Sequence, residues 1–392
     1  MSSTQTSSIS SWQEGHKPGS PYQRVVAKLG TNVLTAGGQR LDLAVMASLV
    51  AQVVQLRQAR VEMVLVSSGA IAAGRHRLGV RDDARDVPRR QVLAAVGQLD
   101  LMYAYQQLFS WHDVTVAQIL LSRRDLADRQ GYLNARNTLL ALLALGVVPI
   151  VNENDVVAVE EIEGAYIGDN DALCALVANL VDAQLLVILT DTEGLYTADP
   201  YHHPEAQLIR RVERIDADIE RLAGSSHGPG RGGMASKVQA AKLATASGID
   251  VVIAHGHRPG VLVDAVRGVE VGTFFPAIAD RLESRKRWML SGLPWRGNII
   301  IDDGAVKALQ AGKASLLPAG IVAVDGDFQR GDVVAILDTR GRRIACGIAN
   351  YSAADVQAIR GLRSDRIEEV LGYAFGQEVV HWDNLVLLEA GA

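Results

Sequence analysis

The sequence predicts an α/β protein: a three-layer αβα sandwich around a mostly parallel sheet, followed by a small, mainly-β domain. Three observations carry that prediction. Short apolar runs alternate with longer segments of helical periodicity from Arg24 to Ala254, the pattern of strands covered on both faces. Polar clusters follow the apolar runs directly, at Gly30-Thr31-Asn32, Ser68-Gly69, Asn152-Glu153-Asn154-Asp155 and Thr190-Asp191. Near Pro276 the pattern changes, and from Gly297 short β-like runs are separated by glycine turns.

Taken in order, Arg24–Leu29 reads as a buried strand ending in a turn at Gly30-Thr31-Asn32. A helix is expected over Leu41–Ala59 and a second buried strand over Glu62–Ser67. The loop Ser68-Gly69-Ala70 leads into another helix, and Pro88–Trp111 and Leu133–Leu145 also carry helical periodicity. Val114–Leu121 and Val147–Val151 read as strands, Ala172–Val181 as a helix, and Leu185–Leu189 and Val251–Ala254 as further strands. Met234–Ser247 consists mostly of good helix formers and stops at Gly248, a natural C-terminal cap. In the second domain, strands are expected at Asn298–Ile301, Ile321–Val324, Asp332–Leu337 and Arg343–Ala349. The resulting division is a flexible tail over 1–22, a catalytic domain over 23–280, a linker over 281–296 and a β domain over 297–385.

Composition narrows the function classes. A chain of 392 residues with 48% hydrophobic and 21% charged residues has the make-up of a soluble globular protein with a large core. Its net charge of −5 argues against a broad nucleic-acid surface. Cys174 and Cys346 are the two cysteines, in no metal-like spacing, which suits a reducing, cytoplasmic location. The Ser/Thr-rich tail has no apolar run and no arginine before Arg24, unlike a signal or transit peptide. The most apolar stretch, Leu139–Val151, is interrupted by Gly146 and Pro149 and is too short to span a bilayer.

The chemistry concentrates in His227-Gly-Pro-Gly-Arg-Gly-Gly-Met-Ala-Ser-Lys237. Its glycines allow close approach to a ligand, and Arg231 and Lys237 sit at the start of the following helix. Cations there are unfavourable unless an anion reverses the sign, so loop, helix end and cations together describe a phosphate site. Lys237 follows Ser236 and precedes Val238, which excludes a P-loop. Gly230, Gly232 and Ala235 fit a loose dinucleotide fingerprint, but the preceding residues are loop rather than strand, so that reading is rejected.

Lys28 ends an apolar strand, either in a functional role or reaching to the surface. Asp171 precedes a helical run and reads equally as its N-cap, and Asn152 and Asn154 read equally as turn residues. Cys174, inside an apolar helical run, and the pair His202-His203, beside prolines, read as structural or solvent-facing. No Gly-x-Ser-x-Gly elbow is present. Jointly, two lysines, a glycine-rich anion loop and several Asp and Asn residues at one sheet edge suit phosphoryl transfer. In that chemistry cations and Mg²⁺ neutralise the phosphoryl oxygens, with Mg²⁺ held mainly by phosphate and water.

The chain resembles the glutamate 5-kinases, which join an amino acid kinase domain to a PUA domain. The resemblance runs from about Arg24 to near the C-terminus. It rests on Val26-Ala-Lys-Leu-Gly-Thr-Asn-Val-Leu34, Val66-Ser-Ser-Gly-Ala-Ile-Ala-Ala-Gly74, Leu133-Asn-Ala-Arg136, Val151-Asn-Glu-Asn-Asp155, Gly168-Asp-Asn-Asp171, Thr190-Asp191, Gly194-Leu-Tyr-Thr-Ala-Asp-Pro200 and Gly230–Lys237. Ser315–Ile321 and Phe328–Val333 look like PUA motifs.

The resemblance implies ATP-dependent phosphorylation of the L-glutamate side-chain carboxylate, the first step of proline synthesis, with feedback inhibition by proline. It implies that Lys28 and Lys237 stabilise the transferring phosphoryl group while Asp171 holds the two lysines. Ser68, Asn152, Asp155 and Asn170 correspond to the glutamate set. Thr190, Asp191 and the loop Arg231, Gly232, Gly233, Met234, Ala235, Ser236 and Lys237 correspond to ATP contacts, together with Lys28. It implies further a homo-oligomer, dimer or tetramer, and hand-off of product to glutamyl phosphate reductase. Two departures stand out: Arg231 takes a position usually held by threonine, and the segment Glu161–Ile167 is longer than usual. Within the same class the alternatives are kinases of N-acetylglutamate or aspartate. Outside it, the alternative is an RNA-binding module retaining an inert kinase fold. No basic, aromatic-rich face is evident in Gly297–Ala392, so RNA binding by the second domain is not expected.

Overall fold

The computed structural model describes residues 22–80, 86–157, 169–200, 202–224, 233–278, 295–312 and 314–388. The described residues form two compact units, one within 22–127 and 134–278, the other comprising Asp128–Leu133 with residues 295–388. Residues 1–21 of the expected tail, most of the linker, and the segment Glu161–Ile167 lie outside the described residues, as do Arg231 and Gly232. Tyr22, expected as the last residue of the tail, is instead buried and donates to Asp250 Oδ2 at 2.9 Å.

The first unit is built on strands β1 (Arg24–Leu29), β2 (Glu62–Ser67), β3 (Val116–Leu121), β4 (Val148–Glu153), β5 (Leu185–Thr190), β6 (Asp250–His255) and β7 (Thr273–Phe275). Its helices are α1 (Thr31–Leu34), α2 (Leu43–Gln58), α3 (Ala70–Arg77), α4 (Val87–Ser110), α5 (Arg123–Ala127), α6 (Arg129–Ala144), α7 (Asp169–Leu180), α8 (Ala217–Leu222), α9 (Met234–Ala246) and α10 (Val261–Val266). The sheet order is β3-β4-β2-β1-β5-β6-β7, parallel throughout except for β7, which runs antiparallel to β6. From β1 the chain moves to β2 on one side, and from β5 to β6 on the other. The carboxyl ends of β1 and β5 therefore flank a topological switch point, where ligands of such sheets bind.

Strand β1 shows how the sequence divides its two faces. Val25, Ala27 and Leu29 enter a core with Met46, Leu49, Val50 and Val53 of α2. Alternation sends Lys28 to the opposite face. There it is 6% exposed, which disposes of the surface reading of this lysine.

Other differences from the sequence reading have local causes. The turn after β1 is a short helix, because Val33 N and Leu34 N both donate to Gly30 O. Strand β4 continues through Glu153 because Asn152 and Glu153 pair with Leu120 and Leu121 of β3, so Asn152 is a strand residue rather than a turn residue. Helix α7 starts at Asp169, which puts Asp171 inside the first turn instead of at the N-cap. The three-residue edge strand β7 was not anticipated.

Helices α3 and α4 meet through two glycines. A Cβ added at Gly97 would lie 1.8 Å from Ala70 O, and one at Gly74 would lie 1.9 Å from Leu93 O. Only backbone fits there, so α4 is locked against the helix that starts just after Ser68. Gly69 takes φ +102, a left-handed value that glycine adopts without strain.

The second unit carries a five-stranded sheet in the order β12-β11-β10-β8-β9. Its strands are β8 (Gly297–Ile301), β9 (Ile321–Gly326), β10 (Val333–Asp338), β11 (Arg343–Ile348) and β12 (Leu385–Leu387). The first four coincide closely with the expected runs, and β12 was not anticipated. Ile299, Ile301, Phe328, Ile336 and Tyr351 form its core with residues of the short helices α11 (Asp303–Gln310), α12 (Ala353–Ile359) and α13 (Ile367–Leu371). No helix of the described residues is long and apolar enough to cross a membrane.

Candidate active site

Three charged side chains from three elements meet at the carboxyl edge of the sheet. Lys28 Nζ of β1 lies 2.6 Å from Asp171 Oδ1, and Lys237 Nζ of α9 lies 3.3 Å from Asp171 Oδ2. Their side chains are 7%, 6% and 1% exposed for Lys28, Lys237 and Asp171. Ser236 Oγ donates to Asp171 Oδ2 at 2.6 Å and also lies 2.8 Å from Gly233 O. Gly30 opens the floor of the site, since a Cβ there would approach Lys28 Nζ to 3.7 Å and Leu189 O to 3.2 Å.

The three charges set one another's ionisation. Burial pushes the Asp171 carboxyl upward. The charges of Lys28 and Lys237, with hydrogen bonds from Lys28 and Ser236, outweigh burial and hold it below the ordinary carboxylate value. Burial dominates at Lys237 and lowers its ammonium pKa, with Asp171 and, more weakly, Asp191 opposing and Lys28 pushing the same way as burial. Two ammonium groups meet on one carboxylate in a shielded place, the kind of setting that suits an incoming anion.

On one side of the cluster a chain of amides runs from α7 to α4. Asn170 Nδ2 donates to Ser68 Oγ at 3.0 Å and to Asn152 Oδ1 at 3.1 Å. Asn152 Nδ2 donates in turn to Gln98 Oε1 at 2.7 Å. Beneath it, Ser67 Oγ and Tyr105 OH share a buried hydrogen bond of 2.8 Å. Asp155 sits in the turn just beyond β4.

On the other side, Thr190 Oγ1 donates to Asp191 Oδ1 at 3.0 Å, and Asn32 Nδ2 donates to Asp191 Oδ2 at 2.7 Å. Burial pushes the Asp191 carboxyl up, but these two hydrogen bonds prevail and lower it. Gly233 caps α9 without a side-chain bond, and Met234 and Ala235 form its first turn. Among the described residues no side chain caps this end in the manner of Asp42 on α2, whose carboxylate accepts from Ala44 N and Val45 N.

Comparison with known proteins identifies the family of the chain. The amino acid kinase family model matches residues 23–255, and a PUA domain model matches residues 297–371. The chain is 54% identical to the glutamate 5-kinase of Dehalococcoides mccartyi over 371 residues, covering 94% of this chain and 100% of that one. It is 54% identical to the glutamate 5-kinase of Herpetosiphon aurantiacus, covering 93% and 98% of the two chains. It is 50% identical to that of Shewanella sediminis, covering 94% and 98%. The chain belongs to the glutamate 5-kinase family.

Several residues of this glutamate 5-kinase family member escaped the sequence reading. Asn32 was read only as part of a turn, yet it ties β1's loop to Asp191 across the switch point. Gln98 and Tyr105 were read only as helix. A faint signal existed at Gln98, a polar residue set among Leu93, Ala94, Gly97 and Leu101 on the buried stripe of α4. Ser236, read among the ATP contacts, directs its hydroxyl to Asp171. Cys174 is buried, with Sγ 2.9 Å from Asp171 O, and burial first, then the Asp171 charge, pushes its thiol far up. His202 and His203 are exposed, beside Asp199 and Glu205.

Proposed function

We propose that this chain transfers the γ-phosphoryl group of ATP to the side-chain carboxylate of L-glutamate, giving L-glutamyl 5-phosphate and ADP, the first step of proline synthesis. The observation that carries the reading is the pair of buried lysines brought together on Asp171 at the carboxyl edge of the sheet. The acceptor is itself an anion with a reference pKa near ~4.3, so it arrives ionised and needs no general base. The barrier is therefore repulsion between two anions, which Lys28 and Lys237 relieve. The carboxylate oxygen forms its bond to Pγ as the bond from Pγ to the β,γ-bridging oxygen breaks, and the electron pair leaves with ADP. Both ammonium groups face the oxygens on which charge spreads, while Asp171 and Ser236 keep them from swinging away.

In this reading ATP lies along Thr190, Asp191 and the start of α9, with Gly233, Met234 and Ala235 presenting backbone to its phosphates. Arg231 and Gly232 belong to the same loop by sequence. L-Glutamate lies on the other side, against Ser68, Asn152, Asp155 and Asn170. Among the described residues no group of three or more His, Cys, Asp or Glu is arranged for a metal. Mg²⁺ would enter on the nucleotide phosphates, where it screens charge. Proline is the proposed feedback inhibitor, binding over the glutamate position, and a homo-oligomer in the cytoplasm is the proposed assembly. An acyl phosphate hydrolyses readily, so hand-off to glutamyl phosphate reductase is part of the proposal.

Purified protein with ATP, Mg²⁺ and L-glutamate should yield hydroxamate when hydroxylamine traps the acyl phosphate, and proline should suppress it. Absence of product would overturn the reading, and greater turnover of N-acetylglutamate or aspartate would reassign the acceptor.

A further inference from the structure

The amide chain beside the lysines has a fixed polarity, and that polarity leaves two atoms over. The backbone N–H of Glu153 donates to Asn152 Oδ1 at 2.9 Å, so this oxygen is unambiguous. Asn152 Nδ2 must then be the group that donates to Gln98, which identifies the Gln98 atom facing it as Oε1. Asn170 Nδ2 is fixed likewise, by its bond to Asn152 Oδ1 and its approach of 3.4 Å to Ser67 O. The remaining atoms are Gln98 Nε2, a donor, and Asn170 Oδ1, an acceptor. Both are shielded from solvent and make no hydrogen bond among the described residues. Buried polar groups are ordinarily satisfied, so a leftover donor and a leftover acceptor in one chain call for an explanation.

We propose that Gln98 and Asn170 recognise the amino-acid end of the acceptor, Gln98 Nε2 donating to its α-carboxylate and Asn170 Oδ1 accepting from its α-ammonium. This rests on the reading of the chain as a glutamate 5-kinase and assigns Gln98 as a specificity-determining residue. One donor and one acceptor match a zwitterionic head. A dicarboxylate without an amino group leaves the acceptor unmatched, and an amine without the second carboxylate leaves the donor unmatched. Placement agrees: Asn170 adjoins Asp171, the holder of the two lysines, while Gln98 lies two amides further away. The reacting carboxylate thus faces the lysines and the other end faces α4. The contact of Gly97 with Ala70 O fixes Gln98 relative to Ser68.

Gln98→Glu tests this, because the new carboxylate still accepts from Asn152 Nδ2 but no longer donates. The expected result is a KM for L-glutamate raised by about tenfold or more with an unchanged kcat. With γ-aminobutyrate, which lacks the α-carboxylate, the substitution should leave KM as it was. An unaltered KM for L-glutamate, or equal losses with both acceptors, would overturn the proposal and leave Gln98 a prop for Asn152. Calorimetric binding of the two ligands gives the same comparison without turnover. A wild type that fails to trap hydroxamate from glutamate therefore indicts the kinase reading separately. Should Gln98→Glu melt early, wild-type binding decides: equal affinity for L-glutamate, γ-aminobutyrate and glutarate overturns the proposal.

Discussion

Asp171→Asn removes one charge and changes almost no volume. In the native site the carboxylate stands 2.6 Å from Lys28 Nζ and 3.3 Å from Lys237 Nζ. An amide there leaves two ammonium groups facing each other in a shielded place. Removing one partner of a buried ion pair costs about 3–5 kcal/mol. At roughly 2–4 °C per kcal/mol for a domain of this size, the melting temperature should fall by about 10 °C. The variant limits the damage by shedding a proton, and Lys237, whose pKa burial already lowers, is the one to lose it. In the proposed mechanism a neutral Lys237 no longer counters charge on the phosphoryl oxygens, so kcat should drop by about 10²–10³-fold. The KM for glutamate should change little. The residual kcat should rise as pH is lowered, because acid returns the proton to Lys237, whereas the wild type should show no such rise. Hydroxamate assays across pH, with thermal melts, read all of this. A kcat within a few-fold of wild type, or a pH profile that does not move, would refute the assignment of Asp171 as the holder of both lysines.

Lys237→Met removes a poorly solvated charge and keeps the stem. Turnover should fall by about 10³-fold or more while the melting temperature holds or rises, since burial of that ammonium opposes folding; a parallel loss of both would contradict this. Gly97→Ala forces a Cβ to within 1.8 Å of Ala70 O, so α3 and α4 must separate. Destabilisation of about 3 kcal/mol or more is expected by chemical denaturation, and a stability equal to wild type would show that the helix contact is looser than described. Asp171 has a carboxyl pKa below its unfolded value of 3.8. Its stabilisation is therefore complete above that value and disappears as pH falls through the lower folded pKa. The stability gap between wild type and Asp171→Asn should narrow below about pH 4, and a gap constant down to the acid transition would contradict the shift.

Most of the strands, and several of the candidate site residues, are legible in the sequence alone. Strands β1, β2 and β5 are buried on both faces, so they stand out as unbroken apolar runs whose ends can be read directly. The short edge strands β7 and β12, three residues each, are too brief to show a period, and only their neighbours define them. Lys28, Asp171 and Lys237 were legible as candidates because a charge is conspicuous in apolar or glycine-rich surroundings. Their joining was not legible, for a strand, a helix start and another helix far apart in the chain meet only when the sheet orders β1 beside β5 and α7 packs with α9. Tertiary structure likewise decided that Asp171 spends its carboxylate on two lysines instead of capping a helix, and that Asn152 is held in a strand by β3. Gln98 is the extreme case. A glutamine on a helix has no meaning in one dimension, and its leftover donor exists only because a backbone N–H on β4 fixes the orientation of every amide between them.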